Sequence, residues 1–167
     1  MSLLYETVIS KLGGGINFHF KPKENSLYIS PVGFLCEEPF SLNLGVEINK
    51  QKLILPFGDK HKFFDYVEQD ITLSTLTYRA KSYELGIVFE VVFSSSFYPK
   101  DELTSIAPFF YIDVKISKVY TKYDDGSWLE GKLIFDLIPK TKTKEVNINK
   151  DILIIKDKYT AKFKINR

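Results

Sequence analysis

Side chains able to do acid–base, nucleophilic or metal chemistry are few in this chain and widely spaced. The adjacent carboxylates are Glu37-Glu38, Asp101-Glu102 and Asp124-Asp125. Two acids that share acid–base work must face a common bond, whereas neighbours on an extended chain point to opposite faces. No pair therefore makes a catalytic dyad, and Asp124-Asp125-Gly126-Ser127 reads as a turn. His19 stands between Phe18 and Phe20, and His61 stands among lysines. The two could meet with Asp59 or Asp65 as a third metal ligand, but isolated histidines more often pack or face solvent, so no metal is expected. Cys36 lies beside two glutamates whose charge disfavours a thiolate. Gly13-Gly14-Gly15 follows no strand and lacks the Lys-Ser/Thr pair of a phosphate loop, so it reads as a flexible hinge. No catalytic residue and no cofactor are assigned.

Binding chemistry is better represented. Trp128 follows the Asp124–Ser127 turn, with Tyr120 and Tyr123 just before it. An exposed aromatic ring matches the apolar face of a pyranose, and Asp124 and Asp125 could accept hydrogen bonds from its hydroxyls. This cluster is the candidate carbohydrate site. Its rival is a Trp128 folded back into the core.

The elements that must position these residues are strands. Ile16 to Lys21 alternates as INFHFK, and Leu27 to Ser30 resumes after a Pro-Lys-Glu-Asn turn. Leu42 to Ile48 and Lys52 to Leu55 flank Asn49-Lys50, a tight hairpin turn in which Asn tolerates left-handed backbone more readily than Lys. Ile71 to Lys81 reads as one strand with no strongly apolar face, which predicts an edge or outer position. Leu85 to Ser94, Pro108 to Lys118, Leu129 to Ile138, Asp151 to Lys156 and Tyr159 to Ile165 follow, with Asp157-Lys158 as a turn between the last two. Phe110, Ile112, Val114 and Ile116 share one face of their strand; Tyr111, Asp113 and Lys115 share the other. Leu3 to Leu12 is expected to form a short helix stopped by the glycines, and Pro56 to Asp70 a loop or helical turn. The fold class is all-β: an antiparallel two-sheet β-sandwich with a short amino-terminal helix. It forms a single domain over residues 1–167, of which 1–15 are an amino-terminal segment with its Gly-rich hinge.

One stretch resembles a known family. Tyr78-Arg79, Gly86-Ile87, Phe93-Ser94, Phe97-Tyr98-Pro99 with Asp101, then Ser105 and Pro108 before a strand, are similar to the amino-terminal β-sandwich of family 116-like glycoside hydrolases, the bile-acid β-glucosidase and glucosylceramidase group. The likeness covers residues 75 to 118 and departs at Ser96, where that family has proline. It implies a sandwich that packs on a large helical catalytic barrel, its loops shaping the pocket entrance. Phe97, Tyr98, Pro99 and Asp101 then become a candidate domain-docking loop. Hydrolysis of glycosides needs two carboxyl groups flanking the bond, and in that family they belong to the barrel. A chain of 167 residues has no room for it, so the resemblance implies an accessory domain and not an enzyme.

Length and composition bound the rest. A chain of 167 residues with 44% hydrophobic side chains can bury a core without staples. Its single cysteine excludes a disulfide framework. No run approaches the ~20 apolar residues of a membrane helix, and the amino terminus lacks a basic region followed by an apolar run. A cytoplasmic protein without a membrane span is expected. From Lys140 onward nine Lys/Arg face three Asp/Glu, which could attract nucleic acid. Lysines on solvent-facing strand positions explain the same excess more simply. The leading expectation is a non-catalytic accessory domain that binds carbohydrate or docks on a helical catalytic module. The alternative is a stand-alone, jelly-roll-like assembly protein that associates with itself and has no sugar affinity.

Overall fold

A computed structural model describes residues 4–10, 16–31, 38–59, 62–95, 100–101, 103, 110–118, 128–140 and 158–166. Within them the chain runs through β1 (Thr7–Ser10), β2 (Ile16–Lys21), a 3-10 turn (Pro22–Glu24), β3 (Ser26–Pro31), β4 (Glu38–Ile48) and β5 (Gln51–Ile54). There follow β6 (Lys62–Phe63), β7 (Tyr66–Ile71), β8 (Thr75–Ser82), β9 (Ile87–Ser95), β10 (Phe110–Lys118), β11 (Trp128–Pro139) and β12 (Lys158–Asn166). They build two sheets. The larger has the order β1–β2–β3–β4–β11–β12, with β5 added to β4 and β6 to β5. The smaller has the order β10–β9–β8–β7. Every pairing is antiparallel except the short parallel contact of β5 with β6. The all-β two-sheet sandwich is the fold.

The inner faces are dictated by alternation. On β4 the apolar side chains stand at every second position, Phe40, Leu42, Leu44, Val46 and Ile48, opposite Leu76, Tyr78 and Ala80 on β8 and Ile87, Phe89, Val91 and Phe93 on β9; the intervening Ser41, Asn43 and Gly45 are buried as well. Four rings lock the layers together. Phe20 of the larger sheet lies 4.8 Å from Phe93 and 5.2 Å from Phe57, and Tyr78 lies 4.9 Å from Phe57, all in tilted or edge-to-face geometry.

Several local expectations are corrected. The stretch expected as a helix contains β1, because Thr7, Val8 and Ile9 are β-branched and only Thr7 and Ile9 are buried, a period of two. Within Pro56–Asp70, expected as a loop or helical turn, Lys62–Phe63 form β6 and Tyr66 opens β7. The single strand expected from Ile71 to Lys81 is broken by a turn at 72–74, so β7 and β8 form a hairpin. In that turn the Thr72 hydroxyl accepts from the Ser74 and Thr75 amides and pairs with the Thr75 hydroxyl at 2.6 Å. β8 is therefore an interior strand, not an edge. Its inner face looked weak only because a tyrosine and an alanine stand where larger aliphatics would announce themselves.

Turn chemistry behaves as expected elsewhere. Asn49 (φ 51°) and Lys50 (φ 66°) both adopt left-handed backbone between β4 and β5, so the lysine accepts the strain of a two-residue hairpin. Asn25 (φ 48°) closes the 3-10 turn, its amide donating to Pro22 O at 3.3 Å. Lys140, from the basic region, secures that turn. Its ammonium donates to Asn25 O at 3.0 Å, Glu24 O at 3.3 Å and Ser26 Oγ at 2.6 Å, with Asp59 Oδ1 at 3.7 Å. This lysine works inside the fold. The strand expected over Asp151–Lys156 and the residue Asp157 lie outside the described residues, while Lys158 opens β12.

Candidate functional site

The smaller sheet turns a polar face to solvent, and its register aligns that face in rows. Glu68 on β7, Arg79 on β8, Glu90 on β9 and Lys115 on β10 stand directly opposite one another. The next row is Asp70, Thr77, Val92 and Asp113. Adjacent strands lie ~4.8 Å apart and same-face residues ~7 Å apart along a strand, a mesh comparable with one pyranose ring.

Geometry within the first row is specific. Arg79 Nε donates to Glu90 Oε2 at 2.8 Å, and Nη2 lies 2.7 Å from the same oxygen. Arg79 Nη1 stands 3.8 Å from Glu68 Oε2, whose other oxygen is 3.7 Å from Lys81 Nζ. The Lys81 ammonium in turn sits 5.3 Å from the Tyr66 ring centroid. The hydrogen bond and charge of Glu90, with the fields of Glu68 and Asp70, push the already high guanidinium pKa further up. The first row alternates in sign, whereas the second carries two acids and no cation.

Glu68, Gln69, Asp70, Thr77, Arg79, Glu90 and Val92 line a hollow of about 400 Å³. Ion pairs this exposed contribute only about 0–1 kcal/mol each, so folding gains little from them. What the arrangement offers is a set of oriented donors and acceptors around a small apolar floor from Val92 and the Thr77 methyl. That composition suits a ligand rich in hydroxyl groups.

The residues singled out in the sequence are distributed differently. Trp128 opens β11 opposite Asn166, while Tyr120, Tyr123, Asp124 and Asp125 lie outside the described residues. Phe97, Tyr98 and Pro99 also lie outside them, and Asp101 is exposed. Cys36, His61 and the three glycines are likewise outside. His19 faces outward on β2 with Nε2 3.6 Å from Glu6 Oε2. Asp59 is taken up by Lys140, and Asp65 accepts the Tyr83 amide at 2.8 Å. Among the described residues no cluster of three His, Cys, Asp or Glu could hold a metal ion, and no helix is long and apolar enough to cross a membrane. The Glu68–Arg79–Glu90 row escaped the sequence reading because its members lie 11 residues apart and align only once the β7–β8–β9 meander is registered. The signal that could have found it is the pair of acids at alternate positions of 66–71, Glu68 and Asp70, and the lone Glu90 in the apolar run 87–95.

Comparison with known proteins returns no match among family models, curated proteins or solved structures.

Proposed function

We propose that this sandwich is a non-catalytic accessory domain that binds carbohydrate, in the manner implied by the likeness of residues 75–118 to family 116-like glycoside hydrolases. The observation that carries the reading is the hollow on the outer face of β7, β8 and β9, where Arg79, Glu90, Glu68, Asp70 and Thr77 surround an apolar floor. Hydroxyl pairs of a sugar can donate to one carboxylate and accept from the guanidinium, and its C–H face can rest on Val92. The segment holding Phe97, Tyr98, Pro99 and Asp101 is the surface such a domain would offer to a helical catalytic module. The Trp128 cluster is a second candidate for the sugar.

Titration with mono- and oligosaccharides, β-glucosides included, tests the reading by following backbone amide shifts. Saturable shifts centred on 68–70, 77–79 and 90–92, abolished by Arg79→Met and retained in Trp128→Ala, support the outer-face site. Shifts lost only in Trp128→Ala move the site to the β11 end. No saturable shift with any saccharide ends the carbohydrate reading.

A second reading, self-assembly without sugar affinity, has an observation of its own. Leu73 at the β7–β8 turn is fully exposed and Ile71 and Ile112 are half exposed at the same end of the sheet. Light scattering after chromatography decides it: a defined oligomer that dissociates in Leu73→Ser favours assembly, and a monomer at 100 μM concentration, roughly the range where weak specific contacts are populated, removes it.

A further inference from the structure

We infer that β1 is a detachable strand, latched by Gln69, and that its release opens the edge of β2 to an added peptide strand. The latch is a side chain acting as backbone. The Tyr5 amide donates to Gln69 Oε1 at 2.8 Å, and Gln69 Nε2 donates back to Tyr5 O at 3.1 Å. The same amide nitrogen reaches Thr7 Oγ1 at 2.7 Å and Tyr78 OH at 3.2 Å. Two hydrogens thus serve three acceptors. Gln69 belongs to β7 of the smaller sheet, so one amide joins the amino-terminal strand to the opposite layer.

Everything else that holds β1 is slight. It is four residues long and, among the described residues, pairs with β2 alone. Only Thr7 and Ile9 of the strand are buried, while Val8 is 54% exposed and Ser10 faces solvent; just before it Leu4 packs partly on the core and the exposed Glu6 has Oε2 3.6 Å from His19 Nε2. Short elements with little buried area open well below the free energy of global unfolding. β4, by contrast, is flanked by β3, β5 and β11 and opens only with the whole.

The groove that β1 fills defines its other occupant. With β1 released, β2 presents an unpaired edge above Phe20 and Tyr78, and Gln69 presents a donor and an acceptor that read backbone without regard to sequence. The partner chemistry is an extended peptide with two small or β-branched residues at alternate positions, as in Thr7 and Ile9, added antiparallel to β2. The chain's own strand is the pattern for it.

Native-state hydrogen exchange against urea tests the latch. The amides of 7–10 are expected to exchange at least about tenfold faster than those of 42–46 and with little urea dependence. Gln69→Ala should speed the former by roughly tenfold again, the effect of about one net hydrogen bond, and leave the latter unchanged. Ile9→Asn, which weakens β1 and leaves its acceptor intact, should bind the synthetic peptide LYETVIS saturably and one to one, shifting amides of 17–21, while wild type does not. Amides of 7–10 that merge with the global isotherm overturn the latch, as does an Ile9→Asn chain that unfolds entirely. An Ile9→Asn chain with freely exchanging β1 amides and no peptide binding overturns the acceptor.

Discussion

Alanine at Gly45 should be among the most damaging single substitutions in this fold. Gly45 sits in the middle of β4, opposite Ile54 of β5 on one side and Ile134 of β11 on the other. A Cβ there would collide with the Leu53 carbonyl oxygen and stand 2.8 Å from the Ile54 Cα and 2.9 Å from the Leu53 carbonyl carbon. All three are backbone atoms, so no side chain can swing aside. The chain must lift β5 away from β4, weakening about two ladder hydrogen bonds at ~1 kcal/mol each. Leu53 and Ile54, now almost fully buried, would be half exposed, at ~1 kcal/mol each. The sum is ~4 kcal/mol, and at ~2–4 °C per kcal/mol for a chain of this size Tm falls by ~8–16 °C. Gly86 is the control. It has positive φ (63°) but open space around a built Cβ, so Gly86→Ala carries only backbone strain of ~1 kcal/mol. Urea denaturation with both variants checks the pair. Gly45→Ala costing no more than Gly86→Ala would refute the packing argument.

Lys140→Met should cost ~1–3 kcal/mol in urea denaturation, because it strips three acceptors of a charged donor; amide exchange should rise first at 24–26. Arg79→Met should cost under ~1 kcal/mol, since its ion pairs are largely solvated, yet abolish saccharide-dependent shifts; a large stability loss with binding intact would reverse the roles assigned to it. Burial pushes the Tyr78 hydroxyl pKa well above its ordinary value near 10. Above pH 10 the unfolded chain releases this proton while the folded chain keeps it. Stability is therefore full below pH 10 and falls as pH rises toward the folded pKa. Tyr78→Phe should flatten that alkaline decline, measured as urea midpoint between pH 8 and 11.

Layer and class were legible because alternation is local. INFHFK and the Phe110–Ile116 run carry a period of two, and Leu85 to Phe93 is the nearly continuous apolar run of a core strand. The failures share a different cause. Residues 4–10 and 66–71 show no long alternation of their own, and pairing completes them as strands: β2 and Gln69 for the first, the neighbouring β8 of the hairpin for the second. The β7–β8 turn at 72–74 has no glycine, proline or asparagine, and Thr72 does that work through its hydroxyl. A threonine in a β-rich sequence is read as strand.

The amino-acid order by itself determined that this chain folds as a β-sandwich, because alternating burial, turn residues and side-chain volume are properties of neighbours in sequence. Only the tertiary structure decided the register, since sliding β8 by one residue would exchange Tyr78 for Arg79 at the core with little change in local preference. With the register came everything that depends on residues distant in sequence: the Glu68–Arg79–Glu90 row, the Lys140 clamp and the Gln69 latch. Their physical basis is convergence in space, and no spacing along the chain encodes it.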